Sequence, residues 1–271
     1  LPLLREASRD DGAGGRKLEL LDVACGNGRF EAFLADELPD VDVHATAVDD
    51  CDELMAGAHV PGATFKRFDA LESLAAGCAW REELPVADAA VSFGFLHHIP
   101  SRALRERALA ELLDLVRPGG VAIVSLWCFL EDERLARKAE RSHPAALAAL
   151  ASETQACDID LASELEPGDR FLGWQDADNL WRYCHSFDDT QADELAAAVR
   201  GRADEAARSG LTQVAIVRPR ENTAAIDKKA PQAFSVFFRI IICIIHPSFP
   251  PQKSDFPVCQ TELKPLRKGS A

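Results

Sequence analysis

Leu21-Asp22-Val23-Ala24-Cys25-Gly26-Asn27-Gly28-Arg29-Phe30 decides the fold of this 271-residue chain. Leu18 to Ala24 reads as a buried strand, and a helical pattern resumes at Phe30, Phe33 and Leu34. Between them, glycine at 26 and 28 permits positive φ and close approach by a ligand. A strand, a tight glycine turn and a helix N-terminus form a cradle at the carboxyl edge of a parallel sheet. A dinucleotide fingerprint would place a third glycine or alanine where Glu31 stands, near the pyrophosphate. A glutamate there repels phosphate. Asp22, at the strand end, points toward the cradle and suits a cationic ligand instead.

The run Asp22-Val23-Ala24-Cys25-Gly26-Asn27-Gly28 resembles the first motif of class I S-adenosylmethionine-dependent methyltransferases. The resemblance implies a ligand with a sulfonium and an amino-acid tail, held by Asp22, Ala24, Gly26, Asn27 and Gly28. Asn27 is read as tolerating the turn conformation.

The surrounding order agrees. The helix after the cradle runs to about Leu38 and ends at Pro39-Asp40. Val41 to Val48 is a second strand, with Asp49-Asp50 at its carboxyl end, about 20 residues past the glycine turn. An acid there accepts bonds from ribose hydroxyls. Asp49 is the first choice; Asp50 is the fallback, because it also suits a cap for the next helix. A third strand, Ala63 to Phe68, leads into Asp69-Ala70, where an acid suits an adenine amino group or serves as a helix N-cap. A fourth strand, Ala89 to Phe95, carries Phe93, assigned to the cofactor pocket, and runs into His97-His98. A helix stops at Arg117-Pro118-Gly119-Gly120, and Val121 to Trp127 is a continuous apolar strand, as in a sheet covered on both faces. Strands alternating with amphipathic helices predict an α/β, Rossmann-like, doubly wound sheet. "VSFGFLHHIP" and "LVRPGG" extend the resemblance, which implies seven strands with the last antiparallel.

Leu130 to about Leu161 reads as a helical cover, followed by Gly168 to Trp174 and Trp181 to Phe187, a helix from Asp188 to Arg200, and a last strand from Thr212 to Val217. "GDRFLGW" and "RYCHSF" resemble the tRNA methyltransferases that esterify carboxymethyluridine at the wobble position, although Gly173 replaces a usual proline and Cys184 a usual aromatic. This implies tRNA methylation, with a small activating partner subunit possible. Candidate catalytic groups are His97 and His98, beside the expected methyl position, and Arg182 and His185, which suit a carboxylate or phosphate. Trp174, Trp181 and Tyr183 are candidate stacking platforms. A small-molecule methyltransferase acting on a quinone, lipid precursor or other metabolite is the alternative; a non-catalytic cofactor-binding subunit is a third reading.

Composition sets limits. The net charge of −14 disfavours non-specific binding to nucleic acid or an anionic membrane. The eight cysteines show no metal-ligand spacing, which reads as a reduced cytoplasm with no metal and no disulfide framework. Leu1-Pro2-Leu3-Leu4 begins as if within a helix, so the start is expected to be missing. After Arg220 the composition changes: seven bases against four acids leave −17 on the residues before it. Residues 1–220 are therefore read as the methyltransferase domain. Residues 221–271 are read as a lineage-specific extension or, preferably, a translation outside the original frame, and their apolar run at Phe234 to Ile245 is too short to span a bilayer.

Overall fold

The computed structural model describes residues 1–155, 161–173, 180–207 and 213–217. Trp174 and the tail from 221 lie outside them. In chain order the elements are α1 (Pro2–Ala7), β1 (Arg9–Asp10), β2 (Arg16–Val23), α2 (Arg29–Glu37), β3 (Val41–Asp49), α3 (Asp52–Met55), β4 (Ala63–Arg67), α4 (Ala70–Ala76), β5 (Ala87–Ser92), α5 (Arg102–Asp114), β6 (Val116–Ser125), α6 (Glu133–Gln155), α7 (Leu161–Glu164), β7 (Asp169–Gly173), β8 (Trp181–His185), α8 (Asp189–Ala207) and β9 (Gln213–Val217).

Six strands form one parallel sheet in the order β4-β3-β2-β5-β6-β9, and two-residue β1 lies antiparallel beside the start of β2. The expected antiparallel last strand is corrected by this arrangement: β9 runs parallel to β6, and Ile123 pairs with Ala215. The seventh strand is β1, at the opposite end of the chain. The predicted stop at Arg117 to Gly120 is also revised. Pairing begins at Ala87–Val116 and resumes at Ala89–Val121, so the Pro-Gly-Gly segment is an irregularity inside β6.

Strand periodicity distributes the core over both faces. Leu18, Leu20, Ala89, Val91, Val121 and Ile123 pack beneath α1 and α2 with Leu4, Phe30, Phe33 and Leu34. The alternate positions Leu21, Val23, Ala90, Ala122 and Val124 pack with Leu74, Leu109, Leu112 and Leu195 from α4, α5 and α8. The carboxyl edge of the sheet is left to its loops. Over that edge lies the separate antiparallel hairpin β7–β8, buttressed by α6. Ser142 Oγ donates to Phe171 O (2.9 Å), and Phe171 N donates to His143 Nδ1 (3.1 Å), so helix side chains satisfy one hairpin edge.

At the opposite edge of the sheet, buried Asp88 joins three strands. It pairs with Arg9 (2.7 Å) and Arg117, and accepts from Glu19 N (2.9 Å). Removing its carboxylate strands two guanidinium groups and a backbone donor. Both guanidinium groups keep access to water, so Asp88→Ala should destabilise the domain by about 1–3 kcal/mol, lowering Tm by roughly 2–12 °C in a melting experiment.

Candidate functional site

The cradle takes its shape from backbone that ordinary residues resist. Ala24, Gly26 and Gly28 all have positive φ, at 64°, 59° and 75°. Ala24 N and Cys25 N both donate to Val48 O (2.8 and 3.0 Å), which pins the turn against the end of β3. A Cβ on Gly28 would meet the Phe65 ring at 2.7 Å, so this glycine is required for packing. A Cβ on Gly26 would meet nothing within 4 Å. Its freedom faces open space, where a ligand belongs.

Asp49 fastens the cradle to its neighbour. It is 8% exposed; Gly26 N donates to its Oδ2 (2.9 Å) and Cys51 N to its Oδ1 (3.0 Å). Each oxygen keeps a further lone pair for a ribose hydroxyl. Asp50 is half-buried, and burial, with the charges of Asp49 and Asp69, pushes its carboxyl up to about 6. Asp69 accepts from Glu72 N (2.8 Å) as the N-cap of α4, the structural role weighed for it above, while its charge reaches Asp50. Ala70 is buried in the first turn of α4. Phe93 packs edge-on against Phe30 of α2, centroids 4.8 Å apart, at the base of the cradle. Asn27 is exposed at the turn tip.

Below the turn, Asp22 (2% exposed) faces Glu31 (3% exposed) from the first turn of α2. Asp22 Oδ1 and both Glu31 oxygens meet no donor from any other residue, and the two carboxyl groups are within hydrogen-bonding reach of each other. Burial raises both carboxyls, Asp22 further through the charges of Glu31 and Asp49. In the sequence Glu31 bears only on the exclusion of a pyrophosphate; the fold buries it, one position after buried Phe30 on α2, against Asp22.

The second half of the site lies under the hairpin. His97 and His98 occupy a 3-10 turn after β5, their ring centroids 4.1 Å apart. His97 stacks edge-on against Trp127 (4.9 Å), and Arg182 lies over the same indole at 5.4 Å. Burial holds His97 well below the usual imidazole range, and the positive charge of Arg182 adds to this. Burial likewise lowers His98 to about 4, although its Nδ1 lies 3.0 Å from Tyr183 O. Both imidazoles are neutral at physiological pH. The fold also brings Cys184 to within 3.8 Å of His98 Nδ1, giving three donors within 4.8 Å of one another. The charge of Arg182 acts on both histidines and opposes a cation there.

His185 does not join Arg182. The strand pleat places Arg182 and Cys184 on one face of β8 and Trp181, Tyr183 and His185 on the other. His185 Nδ1 and Tyr183 Oη both engage Asp169 Oδ1 at 2.6 Å, and Arg105 links Tyr183 (3.4 Å) to Glu166. Burial favours a neutral Asp169, but the bonds from His185 and Tyr183 prevail and hold its carboxyl below the usual range. His185 and Tyr183 therefore brace the hairpin against α5. His185, expected with Arg182 as a group for a carboxylate or phosphate, is engaged by Asp169 instead, and Tyr183 is not a free stacking platform. His185 also lines a cavity of about 230 Å³ with Arg105, Glu166 and Phe187, on that other face.

A family model described as "Methyltransferase domain" matches residues 20–120, from the middle of β2 to the bulge of β6. Over those residues the chain is similar to a methyltransferase domain. A curated relative from Arabidopsis thaliana, a tRNA (carboxymethyluridine(34)-5-O)-methyltransferase, is 26% identical over 119 residues, 42% of this chain; the chain spans a quarter of that relative's length. Among solved structures, a SAM-dependent methyltransferase from Methanosarcina mazei aligns at 18% identity and TM-score 0.48, covering 68% of this chain and 79% of its own. Human N-acetylserotonin methyltransferase in complex with SAM aligns at 19% and TM-score 0.32, over 40% and 30%.

The cofactor implied by the motif resemblance is S-adenosylmethionine (SAM), and the residues present fit it. Open space stands at Gly26, a carboxylate with spare lone pairs at Asp49, and, at Asp22 and Glu31, buried carboxyl oxygens that meet no donor from any residue outside the pair. Among the described residues no helix is long and apolar enough to cross a membrane, and Cys25, Cys51, Cys78, Cys128 and Cys184 are free thiols.

Asp49→Ala removes the acceptor that joins the two loops. SAM affinity should fall by roughly ten- to hundredfold, as for loss of a charge-assisted bond, measured by equilibrium dialysis.

Proposed function

We propose that the methyltransferase domain transfers a methyl group to a carboxylate, and that the carboxylate belongs to a modified wobble uridine of tRNA. The observation that carries this reading is the guanidinium of Arg182 over Trp127, flanked by two imidazoles held neutral by burial. SAM supplies the electrophilic methyl group and its leaving group. The protein's task is alignment of an acceptor. Histidines whose basicity is depressed are poor bases for an acceptor that must first lose a proton. A carboxylate is already ionised at neutral pH and needs none.

Arg182 then orients the acceptor carboxylate through charge-assisted bonds, and Trp127 holds the guanidinium by a cation–π contact. Buried His97, Trp127 and Phe129, with half-buried His98, exclude water beside it. His185, Asp169 and Tyr183 keep the strand that carries Arg182 in place. The 26% identical Arabidopsis relative supports the wobble-uridine acceptor, as does the "RYCHSF" segment that forms β8. With −17 on the residues up to Arg220, RNA engagement depends on local contacts or on a basic partner subunit.

Arg182→Ala should lower kcat/KM for the acceptor by ~10–100-fold while leaving SAM affinity nearly unchanged. The assay is labelled SAM with tRNA bearing carboxymethyluridine, with and without candidate partner subunits. Label confined to a small metabolite, with tRNA untouched under every condition, would replace the tRNA acceptor by a small-molecule one.

A further inference from the structure

The carboxyl pair beneath the cradle has no cation to meet it among the described residues. Asp22 follows Leu18 and Leu20 on the face of β2 that packs under α2, and Glu31 projects from α2 onto that same face. Both are more than nine-tenths buried, and three of their oxygens meet no donor from any residue outside the pair. The other titratable groups acting on the pair are Asp49 from the end of β3 and the Cys25 thiol from the turn, and each is an acid. Burial, followed by the charges of Asp22, Glu31 and Asp49, pushes that thiol upward too. The N-terminus of α2 favours a negative Glu31, but it supplies only partial positive charge.

A buried carboxylate without donors is costly, so such a pair keeps a proton until a cation arrives. SAM has two cationic centres, and they differ in what they offer. The sulfonium carries no N–H or O–H group. The α-ammonium of the amino-acid tail carries three donors, matching the three carboxyl oxygens that lack them.

We propose that Glu31 is a cofactor-binding residue: with Asp22 it receives the α-ammonium of SAM, and the proton shared by the pair in the free protein leaves as the cofactor enters. The inference rests on the cofactor assignment and adds a residue and a proton to it. The displaced proton passes to buffer, and no covalent bond of the cofactor changes. The sign follows directly. The ionised pair binds the ammonium, so affinity falls as pH drops below the pair's titration in the free protein, by up to about tenfold per pH unit for one linked proton. Above that titration proton release vanishes, and affinity is flat until the α-ammonium of SAM itself begins to lose its proton near pH ~8.

Titration calorimetry in phosphate and in Tris at one pH counts the released protons, because the two buffers differ in ionisation enthalpy. Scanned across pH 5.5–8.5, SAM binding to the wild-type chain should release a maximum of about one proton. Methylthioadenosine, which keeps the nucleoside and lacks the ammonium, should bind without release. Glu31→Gln, which preserves side-chain shape, should release at most half as much and bind SAM ~10-fold or more weakly. SAM binding with no proton exchange at any pH, or equal release with methylthioadenosine, overturns the inference and leaves the cofactor intact. Undiminished SAM affinity in Glu31→Gln also overturns it. Failure of the wild-type chain to bind SAM overturns the cofactor assignment and the inference with it.

Discussion

The two hydrogen bonds accepted by Asp49 set the geometry on which the rest of the site depends. They tie Gly26 in the first loop to Cys51 in the second, across neighbouring parallel strands. Parallel pairing brings both loops to one edge, but strand pairing alone does not fix where a loop goes after its last ladder bond. Val48 O, accepting from both Ala24 and Cys25, takes the turn as far as β3. Asp49 then closes the remaining gap with a buried carboxylate, and Gly26 leaves room above it.

The cradle was legible in the sequence because each of its features is local. A glycine pair after an apolar strand, and an acid at the end of the next strand, need only the period of the strands and the turn chemistry to be read. The direction of the last strand was not legible, since a short apolar run such as Gln213–Val217 pairs equally well either way and family resemblance chose the antiparallel case. The bulge at Arg117 to Gly120 was hidden for a similar reason. Pro-Gly-Gly signals a break, and only the neighbouring strand shows that pairing resumes across it.

The substrate side shows a different limit. "RYCHSF" was read as a cluster, but a strand sends alternate side chains to opposite faces. Arg182 therefore reaches Trp127 and the histidines, while His185 is committed to Asp169. Assigning a face needed the partner strand β7, whose Asp169 captures His185 and Tyr183 together. Burial also altered the histidines' chemistry. A pair of imidazoles invites an acid–base role, yet their desolvation beside a guanidinium leaves them neutral and favours an acceptor that arrives already charged.

Negative charge under the cradle and positive charge under the hairpin thus suit the cationic cofactor and the anionic acceptor proposed above. Hydrogen–deuterium exchange with and without SAM tests the first half directly. Added SAM should slow exchange at the amides of Ala24 to Glu31 and Asp49 to Cys51, with little change at the β1 amides of Arg9 and Asp10. Unchanged exchange throughout the cradle at saturating SAM, or protection confined to the cavity beside His185, would contradict the account.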